Sequence, residues 1–150
     1  MGGLLCSSAE VIESATVLGK RLGMLGVHKA GLFAAAGLVA LREMYDGLAE
    51  DHRRARWLAG ELARIDGFDV DLETVQTNLF RVDTHRLGVT ALQLAERVAE
   101  HGLGIHVLEP YAFKMSLCYA LDDTHTERAL DIMKRVVSRL GRVSAGLAQP

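Results

Sequence analysis

The 150-residue sequence predicts an α+β fold, with a mixed helix–strand order that borders on α/β. Two observations carry that reading. Between positions 29 and 65, apolar residues recur at helical spacing, first on all sides and then as one stripe. From Phe68 onward, strand-like and helical segments follow in the order ββαββα, which folds as a small sheet covered by helices. Composition agrees: 49% hydrophobic and 24% charged residues, with Gly 15 and Pro 2, describe a globular chain rather than a collagen-like or Pro-rich one.

Leu4–Cys6 reads as a short buried strand. Ser7 or Ser8 is placed to cap a following helix that runs to about Leu18, with Glu10 near its positive end. Gly19 to Lys29 then carries three of its glycines close to Lys20, Arg21, His28 and Lys29. Such a stretch suits either an anion-binding connection or a solvated loop. A helix is predicted from Lys29 to Ile65. Its Ala30–Leu41 part is apolar nearly all round, which calls for burial on every side. The remainder narrows to Leu41, Met44, Tyr45, Leu48, Ala55, Leu58, Leu62 and Ile65. Arg53, Arg54, Arg56 and Arg64 beside Glu50, Asp51 and Glu61 form its solvated ion-pair face, and Gly67 closes it. The domain division expected is 1–40, which holds the start of a long bridging helix, and 41–150, a small α+β domain.

Phe68–Val70 is a brief edge strand and Thr74–Val82 a longer one. A helix follows from about Thr90 to His101, stopped by Gly102. Gly104–Leu108 and Phe113–Ala120 are strands separated by Glu109-Pro110-Tyr111. Thr124 and Glu127 have capping-box spacing and open a last helix whose inner residues are Leu130, Met133, Val137 and Leu140, closed by Gly141.

The charge balance, Lys+Arg 17 against Asp+Glu 19, offers no basic excess for nucleic acid. No apolar run reaches the roughly 18 residues of a membrane span, and the N-terminus lacks the basic region of a signal peptide. Cys6 and Cys118 make neither a disulfide framework nor a zinc site, and a reducing cytoplasm is the simplest compartment. The six histidines show no metal-ligand spacing. No phosphate loop, nucleophile elbow or dinucleotide fingerprint occurs. Cys118 reads as a buried, inert thiol in an apolar strand. Thr77-Asn78 is either a wet sheet face or a pair of groups presented to a site. Lys114, flanked by Phe113 and Met115, either snorkels or binds an anion.

Several segments together resemble the threonine aldolase family, part of the β-eliminating lyase group of fold type I pyridoxal-phosphate (PLP) enzymes. They are Lys29-Ala30-Gly31, the run from Ala34 to Leu41, Leu48-Ala49-Glu50-Asp51-His52 with Ala55, and, most specific, Glu73-Thr74-Val75-Gln76-Thr77-Asn78. Gly3-Leu4-Leu5 before a Ser-capped helix is similar to the family's segment just after its cofactor lysine. The resemblance covers about residues 2–140.

The resemblance implies the C-terminal small domain of such an enzyme, preceded in residues 1–40 by a remnant of the end of its large domain. The Schiff-base lysine, the ring stacked on the pyridine and the aspartate on its nitrogen all fall before this sequence. None of Lys20, Lys29, Lys114 and Lys134 lies in the family's Ser-Lys-Gly context. No catalytic residue is therefore expected in this chain, and the amine that reacts with the cofactor is expected on a partner chain. By the same resemblance Arg21 and Lys29 are cofactor-side residues, and His28 and Lys114 substrate-side ones. His28 stands where the family has an arginine, and Lys29 where it has a glutamine. Met24 and Leu25 replace two of three glycines. Lys114 stands for the arginine that clamps the amino-acid carboxylate, and Cys118 for a histidine. A lysine lacks the planar fork that matches a carboxylate. The implied activity is carbon–carbon cleavage or formation at the α-carbon of a β-hydroxy amino acid, with PLP held mainly by a partner. Two other readings are a non-catalytic structural or regulatory module derived from the family, and a small-molecule sensor built on the ββαββα unit. The Ala30–Leu41 face is expected to meet a partner or a second copy.

Overall fold

The computed structural model describes residues 5–23 and 30–146. The chain divides into two compact units, Met1–Tyr45 and Asp46–Pro150.

In the first unit, α1 spans Ala9–Arg21. Ser8 has the extended backbone of an N-cap (φ −61°, ψ 155°), and its carbonyl accepts from Ile12 N–H at 3.0 Å. Its side chain makes no capping bond, so serine supplies the geometry of a cap without the extra hydrogen bond. The helix runs past the expected Leu18 to Arg21, and Gly23, at φ 73°, takes the left-handed turn beyond it. Leu5 and Cys6 are not in a strand, contrary to expectation; Leu4 lies outside the described residues, and no strand among those residues pairs with them. Helix α2 is Ala30–Val39, followed by a wider π turn over Ala40–Met44. Among the described residues of this unit, none is buried.

The continuous helix expected over 29–65 is interrupted. After the π turn, residues 45–47 form a turn, and α3 starts afresh at Leu48 and ends at Leu62. The apolar period passes through this point unbroken, but Asp46-Gly47 does not suit a helix interior. Glycine costs about 1 kcal/mol there, and aspartate competes for backbone groups. Gly47 becomes the N-cap, its carbonyl accepting from the N–H groups of Glu50 and Asp51 at 3.1 and 3.2 Å.

The second unit carries the core. Helix α3 buries Ala55, Leu58, Ala59 and Leu62, the 3-and-4 spacing the sequence shows. Gly67, at φ 96°, turns the chain toward the sheet, and a Cβ there would lie 2.8 Å from Leu87 Cδ1. The expected edge strand at Phe68–Val70 contracts to a single bridge, Asp69 to Asp83. The strand expected from Thr74 starts five residues later, as β1, Leu79–Asp83. Asp71 is the reason. Its carboxylate accepts from Glu73 N–H at 3.1 Å, and its carbonyl accepts from the Thr74 hydroxyl at 2.8 Å, winding Leu72–Thr74 into a 3-10 turn.

Helix α4 spans Ala91–Ala99 behind a capping box. Gln93 N–H donates to Thr90 Oγ1 at 3.2 Å and Thr90 N–H to Gln93 Oε1 at 2.9 Å. Strands β2, His106–Glu109, and β3, Ala112–Ser116, complete an antiparallel sheet of order β1-β3-β2. β3 is shorter than the expected Phe113–Ala120. Asn78 terminates it, its amide donating to the Leu117 carbonyl at 2.6 Å while its own carbonyl accepts from Leu117 N–H at 2.8 Å. Helix α5 spans Asp123–Gly146 and runs through Gly141. Asp122, not Thr124, caps it: the Asp122 carboxylate accepts from His125 N–H at 2.9 Å and its carbonyl from the Thr126 hydroxyl at 2.9 Å.

Phe80, Val82, Phe113 and Met115 on one sheet face meet α3, α4 and α5 in a single cluster. Phe113 is fully buried on the central strand and meets Phe68 edge-on, ring centres 5.9 Å apart. Each such side chain contributes about 1.5–3 kcal/mol on burial. The fold is thus the small α+β sheet covered by helices that the sequence predicts.

Candidate functional site

The sheet has two unlike faces because β residues alternate. Opposite the core face, cross-strand pairing sets Arg81, Lys114 and His106 side by side on β1, β3 and β2. Arg81 is satisfied by a two-point ion pair with Glu109, at 3.0 and 2.9 Å. That guanidinium holds the Glu109 carboxyl below the usual range. At the far end of β1, Asp83 accepts from His85 N–H at 2.9 Å and lies 2.6 Å from His85 Nδ1. Its partial desolvation, which would raise its pKa, is outweighed by those two bonds, so the carboxyl sits low. Lys114 is half-buried and pairs with no carboxylate among the described residues. It is a cation held on the central strand and left available.

Lys114 also lines a cavity of about 480 Å³. Strand β2 pairs with β3 only as far as His106 opposite Lys114, whereas β1 continues to pair with Met115 and Ser116. The segment Gly102–Ile105 therefore stands away from β3, and the gap between them and α5 is the cavity. Its remaining polar lining includes His106, His125 and Arg128. Asp122 Oδ1 lies 2.6 Å from His125 Nδ1. Asp122 N–H also lies 3.4 Å from the same ring nitrogen, so the two residues hold each other at the start of α5. The His125 backbone and ring bonds hold the Asp122 carboxyl below its ordinary range.

A second charged cluster ties α3 to α5. Arg53 and Arg54 both reach Asp123, at 2.6 and 2.9 Å, Arg53 reaches Glu50 at 2.9 Å, and Arg54 lies 3.7 Å from the buried Asp51. The two guanidinium groups lower the Asp123 pKa. The ion-pair face expected on this helix is present in part: Arg56 instead donates to the Val75 carbonyl at 3.1 Å and Asp51 is buried, while Arg53 and Arg54 also clamp the start of α5. No group of three His, Cys, Asp or Glu side chains able to hold a metal occurs among the described residues, and none of their helices is long and apolar enough to cross a membrane.

Of the residues expected to carry function, Arg21 is exposed in the last turn of α1, in the first unit, and Lys114 lines the cavity in the second. His28 and Lys29 lie outside the described residues. Cys118 is exposed and follows β3, not buried within a strand as expected, because Asn78 ends the strand before it. His106, His125 and Arg128 escape sequence reasoning as site residues. His106 alone had a usable signal, the alternation of its strand; His125 looked like part of a cap.

The residues present do not make a PLP site by themselves. The cavity lining includes no carboxylate to pair with a pyridine nitrogen, and its planar rings are the imidazoles of His106 and His125. Lys134 pairs with Glu61 at 3.7 Å, and Lys20 is exposed on α1.

The fold and site define a small α+β unit that presents a cationic strand face. The family model described as beta-eliminating lyase matches residues 1–85, and the chain belongs to that family. Low-specificity L-threonine aldolase 1 of Arabidopsis thaliana is 34% identical over 104 residues, covering 69% of this chain and 29% of the relative. The probable low-specificity L-threonine aldolase 2 of the same plant is 30% identical over 138 residues, covering 91% and 38%. The chain thus spans well under half the length of these relatives. Two solved structures share its fold. The structure of MppP soaked with the product 2-ketoarginine gives a TM-score of 0.52 at 16% identity, covering 66% of this chain and 30% of that one. The aspartate aminotransferase from Rhizobium meliloti gives 0.50 at 21%, covering 70% and 30%.

Proposed function

We propose that this chain supplies the small-domain side of a PLP-dependent, aldolase-type lyase acting on a β-hydroxy amino acid. The lysine and most of the cofactor pocket come from a partner chain. The reading rests on the family match over residues 1–85 and on two threonine aldolase relatives. The observation that carries it is Lys114, an ammonium without an acid partner among the described residues, on the central strand of the sheet. When bound, PLP supplies the electron sink for bond cleavage at the α-carbon. In this chain Lys114 holds the substrate carboxylate as a point charge, without the two-point fork of an arginine. Arg21, His28 and Lys29 lie toward cofactor phosphate and substrate. The apolar exterior of α2, with Leu32, Phe33 and Leu38 at least half exposed, supports association with that partner or with a second copy. The reaction is placed in the cytoplasm.

Purification of the complex from its native source tests this. The complex is expected to absorb near the visible edge and to release an aldehyde from a β-hydroxy amino acid, while the isolated chain does neither. Lys114→Ala is expected to raise KM more than it lowers kcat. A complex without that absorbance, or an isolated chain that already cleaves, overturns the reading. One observation favours a non-catalytic module instead: lysine stands where carboxylate recognition calls for an arginine. Activity of the complex unchanged by Lys114→Ala would select that module.

A further inference from the structure

We propose that α2 is an insertion element: a partner chain receives it in a concave, uncharged apolar groove that covers it on every side, in place of a face shared with a second copy. That such a partner exists rests on the lyase reading; how α2 meets it is read from the helix itself. From Ala30 to Leu41 no residue is charged and no side chain forms hydrogen bonds. An ordinary surface helix hides one apolar stripe and wets the rest. Helix α2 has no polar side to wet. At about 100° per residue, Phe33 stands about 100° round the axis from Leu32, and Leu38 about 240°. The three divide the circumference into roughly equal arcs, and all are at least half exposed. Within 31–39 only Gly37 is even partly covered. A second copy across a twofold axis uses the same patch on both subunits, which gives each helix one line of contact. That line covers two of the three side chains at most. Covering all three takes walls all round, and a groove supplies them. The walls are apolar, since α2 offers nothing to satisfy a buried polar group. The family match over residues 1–85 takes in this helix. The stretches matched are 29% and 38% of the two plant relatives, whose remaining chain is ample to build such a groove. A helix of 10 residues without a buried side is marginal in water, so α2 gains lasting order in the groove.

Hydrogen exchange read by mass spectrometry compares the full isolated chain with the complex purified from its native source. In the isolated chain, the amides of 31–39 are expected to exchange nearly as fast as unstructured peptide while α3 and β3 stay protected. In the complex, 31–39 is expected to slow by about a hundredfold or more. The partner, separated from that complex, is then recombined with Leu32→Glu, Phe33→Glu and Leu38→Glu chains. Each is expected to assemble about tenfold more weakly or worse, because each carries a charge into a different wall. Protection of α3 and β3 is expected to stay intact in all three, since these side chains are exposed in the isolated chain. A complex that slows 31–39 but lacks absorbance near the visible edge ends the lyase reading and keeps this one. A complex that absorbs there while 31–39 exchanges as in the isolated chain ends this one alone. Protection of 31–39 in the isolated chain, any one of the three variants assembling as tightly as the unaltered chain, or no complex holding this chain would each overturn the proposal.

Discussion

The two compact units use similar apolar residues to opposite ends. In Asp46–Pro150, Leu58, Phe113 and Met133 are fully buried in a shared cluster. In Met1–Tyr45, Leu32 is 70% exposed and Phe33 51%. Both units form helices, because helices need only local hydrogen bonds and tolerable propensity. Among the described residues, only the second has a sheet whose apolar face collects three helices. Hydrophobic content therefore specifies a buried residue only where the chain brings a second layer to it.

That contrast can be broken by substitution. Phe113→Ala is expected to destabilise the chain by about 3–5 kcal/mol, the ordinary cost of removing a buried aromatic. Phe33→Ala should change stability by less than about 0.5 kcal/mol. Chemical denaturation of the two variants measures both, and comparable losses would dissolve the distinction between the units. The opposite outcome belongs to association. Exchange of Phe33 and Leu38 for Glu is expected to shift sedimentation toward monomer, where Phe113→Ala would not act through the same face.

Two glycines sharpen the comparison. Gly67 holds φ 96° and an added Cβ would strike Leu87, so Gly67→Ala should cost about 1–3 kcal/mol. Gly37 lies within α2 with open space around its Cα, so Gly37→Ala should stabilise that helix by about 0.5–1 kcal/mol. Thermal melts followed by circular dichroism read both signs.

The smallest effect concerns pH. The carboxyls of Glu109 and Asp123 are held low by Arg81 and by Arg53 with Arg54. A carboxyl whose folded pKa is depressed contributes stability above its unfolded pKa, and loses it as pH falls through the folded value. The melting temperature should therefore be level near neutrality and decline below about pH 4. The double variant Glu109→Gln, Asp123→Asn should flatten that decline, and high salt should blunt it, because both pairs are exposed.

Much of this was legible beforehand. The stripe Ala55, Leu58 and Leu62 is the inner face of α3, and Leu130, Met133, Val137 and Leu140 that of α5, all buried. Those faces follow from helical period alone. The strand from Thr74 was misread because alternation is indifferent to Asp71, whose side chain winds the first residues into a turn. The capping residue of α5 was misplaced by two positions, since Thr124 with Glu127 and Asp122 with His125 offer the same spacing of three. For the candidate site, Lys114 stood out as a cation between apolar neighbours. Its companions did not, because His106 and His125 are nineteen positions apart in sequence, one on β2 and one on α5, and only the packing of those two elements brings both to one cavity.

By itself, then, the sequence determined the family, the two kinds of helix and the residues that must be apolar, since these depend on local spacing and on motif identity. The cavity and the open cation on the central strand were decided only in three dimensions. Each depends on where separate segments stop pairing, and that balance of backbone hydrogen bonds and packing leaves no periodic trace in one dimension.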